Sequence, residues 1–398
     1  MPLVPWHRRT EGTDSSQFCI AGHTRRAKVP DAGAIVISRR SLLKSAALSL
    51  AAPAINRGRF SIFAQDVTEY STRTVELVRR STVIDMLGLL TLDYRKLCAW
   101  EADPGRFQRA DFLRLKDSGT TVFHPAVGYT SGDIYAASLR DITGWNAFIA
   151  AHQSQFLRVE GAGDFERAKA LGSIGILIGQ QNSEHFRTVE DVDRFHALGQ
   201  RVSQLTYRSN RIGGGSSEPD RGLSEYGAAI VERMNEVGVA VDISHCSDRT
   251  SLDAIEASRR PVLVTHSNCR TLVPHSARCK TDEAIKRMAA RGGVIGVTMV
   301  RIFVRAGGPT TIEDVLDHID HVAKLAGVEH VGLGSDVDLD GRDGSVHAIR
   351  KFDLDGIDYA KKIFDLTEGL FRRNYSSRNI ELILGGNFMR ALSAVWTS

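Results

Sequence analysis

Val239-Ala-Val-Asp-Ile-Ser-His245, then a helix-like Asp248 to Ser258, then Pro261-Val-Leu-Val-Thr-His266-Ser-Asn268 is the stretch that decides the fold. Two β-branched runs each end in a histidine, with about one helical crossover between them. That is a βαβ unit, and it places both imidazoles at the carboxyl ends of adjacent parallel strands. In a barrel of such units the active site lies at that end, so His245 and His266 are expected to face one pocket. Neutral imidazole is a common metal ligand, and two side by side make half of a zinc site. The plainer alternative is a pair of buried histidines bonded to backbone.

Outward from this unit, strand-like and helix-like segments alternate. The strand candidates are 83–87, 121–127, 174–179, 202–208, 239–244, 262–266, 294–300 and 331–336. Most are continuous apolar runs, as in strands covered on both faces. Between them, residues 110–117, 189–198, 226–237, 250–258, 281–291 and 311–325 carry apolar residues at three- and four-residue intervals. Gly119, Gly199, Gly238, Gly292 and Gly327 follow as helix-ending glycines. Eight such repeats predict a (β/α)8 TIM barrel, an α/β fold, closed by helices over 356–374 and 380–396. A doubly wound open sheet is the competing architecture, but no GxGxxG follows the first strand. Gly213-Gly214-Gly215 reads as a flexible rim loop.

Composition narrows the function. The 398 residues carry 51 Lys/Arg and 47 Asp/Glu. Residues 1–54 hold eight of the former and three of the latter, leaving 43 against 44 in the remainder, a net of −1. The basic balance therefore belongs to the leader, and nucleic-acid binding gains no support. Within that leader, Ser38-Arg39-Arg40-Ser41-Leu42-Leu43-Lys44 precedes a short apolar run containing Ala52-Pro53-Ala54. The pattern is similar to a twin-arginine export signal and is too short to span a bilayer. We expect residues 1–54 to be a leader, 55–398 a single barrel domain, and the periplasm the site of work, with no transmembrane helix. Five cysteines show no CxxC spacing and no disulfide framework.

The order of motifs resembles one family, the membrane (renal-type) dipeptidases, zinc hydrolases of the amidohydrolase-like barrel class. The residues that carry the likeness are Val-Asp-Ile-Ser-His245, Thr-His266-Ser-Asn268 with Arg270, Thr281-Asp-Glu, and Arg291-Gly-Gly-Val-Ile-Gly-Val. His330-Val-Gly-Leu-Gly-Ser-Asp336 and Leu384-Gly-Gly-Asn-Phe continue it, so that it runs from about residue 80 to the end. The resemblance implies dipeptide cleavage by two zinc ions bridged by a glutamate. Carried over by position, His245 and His266 hold the second metal and Asp336 assists proton transfer to the leaving amine. Arg278 binds the substrate carboxylate, for which a planar guanidinium is suited; the alternative is a solvated loop charge.

The departures fall in the first half. Asp85 is present, but Leu87 and Leu89 fill the next ligand positions. Gln181 stands for the bridging glutamate and Tyr207 for a substrate-polarising histidine. A neutral amide bridges two cations poorly. We therefore expect one zinc or other divalent ion, held by His245, His266 and a carboxylate, Asp85 first, with Gln181 and Tyr207 as substrate contacts. His124 reads as a core histidine, Cys246 and Cys269 as buried thiols, and His318 and His321 as a solvated helix face. The expected partner is a dipeptide or similar small molecule, with a homodimer one option for assembly. The competing functions are a one-metal hydrolase of an ester or N-acyl substrate and a catalytically silent relative that binds a small ligand.

Overall fold

The computed structural model describes residues 59–61, 69–91, 96, 99–100, 102–126, 128–339, 353–357 and 359–396. The leader expected over 1–54, with Arg39-Arg40, lies outside the described residues. Parallel strands stand at the middle of each apolar run: Ile84–Asp85, Val122–Phe123, Ile174–Ile176, Val202–Gln204, Ala240–Asp242, Leu263–Ser267, Val294–Val297 and Val331–Leu333. The eighth returns to the first, with Leu333 opposite Asp85. The third closes the ring by continuing as Gly179–Gln180, which pairs with the fourth. Between its two segments, Leu177 N donates to Phe123 O and Arg201 N donates to Ile178 O, each at 2.9 Å. The architecture is the expected TIM-type barrel.

The strands are shorter than the runs because the ladder gives way to single bonds at the mouth, such as Met299 N to Ser335 O at 2.9 Å. A further strand, Phe156–Arg158, pairs with Ile174–Ile176 on the edge that the fourth strand leaves uncovered. Three residues are too few for an alternation signal, so the sequence gives no sign of it.

Ile84 and Val122, Val202 and Ala240, and Leu263 and Val294 are register partners around the ring. Their side chains join one apolar cluster with Phe388, Ala391, Leu392 and Val395 of the last helix, Asn387–Trp396. Residues at one level of a ring can pack together only on its inside, so this cluster is the barrel interior, closed by that helix. A larger cluster lies between the strands and the surrounding helices.

The six expected crossover helices are present within one or two residues of their predicted ends, from Arg109–Asp117 to Ile312–Ala326. Ser224, Ser247, Thr281 and Thr311 cap four of them through side-chain oxygens. All five glycines expected to end helices have positive φ. Thr72–Arg80, Ile134–Ala151, Gly163–Leu171 and the single turn Arg301–Val304 are helices that were not expected. Two expectations are corrected. Gly213-Gly214-Gly215 is buried, with Gly214 N on Thr250 Oγ1 and Gly214 O taking Ser247 N, both at 2.9 Å. The segment is thus a packed brace beside His245, whose carbonyl accepts from Ser216 N at 2.7 Å. His318 is fully buried rather than solvated: Nε2 lies 2.9 Å from Val304 O and Nδ1 accepts from Cys269 N.

Candidate active site

The fifth and sixth strands deliver the histidine pair. His245 Nε2 and His266 Nε2 are 3.1 Å apart at the mouth, with His266 buried and His245 half-buried. Burial, reinforced by the Arg278 guanidinium, holds His266 well below the usual histidine range, so it is neutral. Its Nδ1 lies 2.8 Å from Thr265 Oγ1, which lies 2.7 Å from Asp242 Oδ2. Asp242 Oδ1 also accepts from Ser244 N, Ser244 Oγ and Thr265 N.

Arg278 is buried, and its guanidinium ties the two histidine-bearing strand ends together. Nη1 donates to Ser244 O at 2.7 Å and Nη2 to His266 O at 2.8 Å, while the buried Nε–H has no protein partner. The alternative of a solvated loop charge is thereby set aside. Asp336 sits at φ 58°, a left-handed conformation that Asp tolerates better than most residues, and its N–H reaches Leu87 O at 2.7 Å. The residue is half-buried, and burial raises its carboxyl to about 7; Arg278 opposes that shift and Asp85 adds to it.

The other half of the mouth is built differently. Leu87 is fully buried in the apolar core. The Gln181 side-chain amide donates to Ala126 O at 2.7 Å, and the Gln181 backbone carbonyl takes Gln204 Nε2. Tyr207 lies flat on His245, ring centroids 4.3 Å apart and 22° from parallel. A Cβ at Gly128 would fall 2.4 Å from the Tyr207 ring, so only glycine there leaves the ring its place. A groove of about 350 Å³ with Asp133, Tyr135, Glu184, Arg187 and Arg211 on its walls lies on the rim of this half.

Asp85, expected as a third ligand, is not brought to the pair. Ile84 and Met86 on either side pack into the barrel interior, and alternation carries Asp85 to the opposite face. There it accepts from Ser335 N at 2.7 Å, from Ser335 Oγ and from Leu87 N. Burial pushes its carboxyl up, against the Lys362 ammonium and these donors. His124 is a core histidine, as expected, with Nδ1 on Met86 O at 2.8 Å and Nε2 buried without a partner. Cys246 and Cys269 are buried thiols, and burial raises both. Sequence reasoning missed Asp242, Thr265 and Ser244. The available signal was an aspartate in the middle of an otherwise apolar strand, where a charge is rarely left unbonded.

Tetrahedral zinc with bonds of about 2.0–2.1 Å sets its nitrogen ligands about 3.3 Å apart, so the 3.1 Å separation fits two corners of one ion. Leu87, Leu89 and Gln181 offer no anion there. Among the described residues no three His, Cys, Asp or Glu side chains gather as a metal cluster.

Solved structures share this architecture. An amidohydrolase from Pseudomonas aeruginosa is 30% identical with a TM-score of 0.69, over 81% of this chain and 99% of that one. A metallo peptidase from Rhodobacter sphaeroides, liganded with a phosphinate mimic of L-Ala-D-Ala, shares the fold at 20% identity, a TM-score of 0.67, and 79% and 99% coverage. An uncharacterized dipeptidase from Schizosaccharomyces pombe is 36% identical over 231 residues, 55% of this chain and 52% of its own length. The chain thus spans about half the length of the curated relatives it matches. Residues 71–397 match the membrane dipeptidase family, peptidase family M19, and the chain belongs to that family.

Proposed function

We propose that the chain hydrolyses a small amide, a dipeptide or close analogue, with a single divalent ion, zinc first, held by His245 and His266. Family membership supports the reaction class, and the 3.1 Å imidazole pair is the observation that carries the site. When bound, the ion supplies Lewis acidity to the scissile carbonyl. The remaining work falls to the chain. Asp336, raised to about 7, can take a proton near neutrality and return it to the leaving amine. Arg278 spends one N–H of each terminal nitrogen on backbone carbonyls, which leaves the second N–H of each and the Nε–H to donate to a substrate carboxylate. Tyr207 covers one face of His245 and keeps water from it.

Elemental analysis of wild type and His245→Ala, run beside a dipeptide panel, tests this. One equivalent of metal and turnover in the wild type, both lost in the variant, are expected. Two equivalents would overturn the single-ion assignment. A folded, zinc-supplied protein without metal or turnover would establish the silent ligand binder, which the Tyr207 stack and the lack of a third donor among the described residues favour. The proposal extends to export into the periplasm by the twin-arginine route, supported by Arg39-Arg40 and the apolar run behind them. Replacing both arginines by lysine should leave the protein in the cytoplasm; an unchanged periplasmic yield would remove that part.

A further inference from the structure

The polar groups behind His266 form a chain whose proton directions can be counted. Thr265 Oγ1 has a single proton and three polar neighbours: Asp242 Oδ2 at 2.7 Å, His266 Nδ1 at 2.8 Å and Ser244 Oγ at 3.1 Å. All four residues are buried, so no bulk water substitutes for a wrong direction. The Asp242 carboxylate can only accept. Its Oδ1 takes two backbone N–H groups, from Ser244 and Thr265, which cannot reverse, and the Ser244 hydroxyl at 2.6 Å. The Ser244 oxygen in turn accepts His266 N at 3.1 Å. The one proton of Thr265 therefore goes to Oδ2, and its oxygen is left to accept. Only a protonated Nδ1 can satisfy it.

We infer that Asp242, acting through Thr265, fixes His266 as the Nδ1–H tautomer and presents its Nε2 lone pair to the mouth. Asp242 and Thr265 are positioning residues. They touch neither substrate nor metal, and they set which imidazole nitrogen does. A second consequence concerns His245. Its Nε2 lies 3.1 Å from that lone pair, so in the metal-free protein His245 supplies the proton between the rings. A cation entering there leaves His266 as it is and requires His245 Nε2 to give its proton up. The two histidines are thus unequal before any metal arrives. The tautomer assignment stands on hydrogen bonding alone, while its effect on metal affinity rests on the proposed function.

Asp242→Asn is the decisive variant. It keeps the shape but turns an N–H₂ toward Thr265, which reverses the relay and makes Nδ1 the acceptor. Long-range proton–nitrogen correlation spectra of ¹⁵N-histidine protein, with His266 assigned through His266→Ala, read the tautomer directly. The wild type should show Nδ1–H, Asp242→Asn should show Nε2–H, and Thr265→Val a mixture, with Thr265→Ser restoring the wild-type pattern. Zinc affinity by calorimetry should fall about 10–100-fold in Asp242→Asn and Thr265→Val and hold in Thr265→Ser. A folded Thr265→Val or Asp242→Asn protein that keeps the Nδ1–H form would overturn the inference. If the tautomer inverts while the wild type binds no metal, the inference stands and the single-ion function fails.

Discussion

The half of the mouth built by the fifth to eighth strands carries His245, His266, Arg278 and Asp336; backbone carbonyls hold Arg278 and the Asp336 N–H, and the buried Asp242 reaches His266 through Thr265. The half built by the first to fourth strands carries Leu87, Leu89, Gln181 and Tyr207, and Asp85, the carboxylate expected as a ligand, faces the other way. Both halves are well packed. They differ in whether lone pairs and charges are left for a visitor or used up internally. A buried cation needs anionic or strongly donating neighbours to offset its lost hydration. One half offers two imidazoles, and the other offers hydrocarbon and an amide already bonded.

The largest expected effect tests the donating half. His266→Ala should remove bound metal outright, from one equivalent to none by elemental analysis; retention would move the ion to the half assigned as inert. Asp85→Ala should do the reverse, leaving metal content unchanged while lowering unfolding free energy by about 3–5 kcal/mol, since Ser335 loses its buried acceptor. Chemical denaturation with parallel metal analysis separates the two, and metal loss would make Asp85 a ligand after all. Gln181→Glu is smaller, about 1–3 kcal/mol destabilising, because a carboxylate would face Ala126 O where an N–H now donates. No second equivalent of metal should appear, and its appearance would show that the bridge is one residue away from working.

The smallest effect is a pH dependence confined to the donating half. Asp336 is raised to about 7 in the folded protein, against about 3.9 in the unfolded chain. The folded state therefore holds the proton across that window. Stability contributed below pH of about 4 is lost as pH rises toward about 7, on the order of 1 kcal/mol for a carboxyl partly open to solvent. Denaturation of metal-free protein at several pH values reads it. Asp336→Asn should flatten the slope, and Gln181→Ala should leave it in place.

How far the site was legible follows from what each signal measures. His245 and His266 were legible because a β-branched run that ends in histidine fixes both the element and the end of the sheet. Asp336 and Arg278 were legible as positions within family motifs, but not as a left-handed residue and a clamp on two carbonyls. Asp85 was misread as a ligand because proximity in sequence to the mouth says nothing of which face a strand residue takes. His318 was misread because two histidines on a helix carry no mark of whether a neighbouring loop covers them; Cys269 and Val304 do.

By itself the sequence determined the eightfold alternation and the helix ends, since these depend on local periodicity and on residue identity. Only the tertiary structure decided the rest. Closure of the ring through the split third strand, the packed glycine brace behind His245, the Tyr207 ring on His245 and the Asp242–Thr265–His266 relay join residues from different elements. The physical reason is that hydrogen-bond direction and burial are properties of assembled neighbours. A hydroxyl has one proton to give, and only the surrounding fold determines which acceptor receives it.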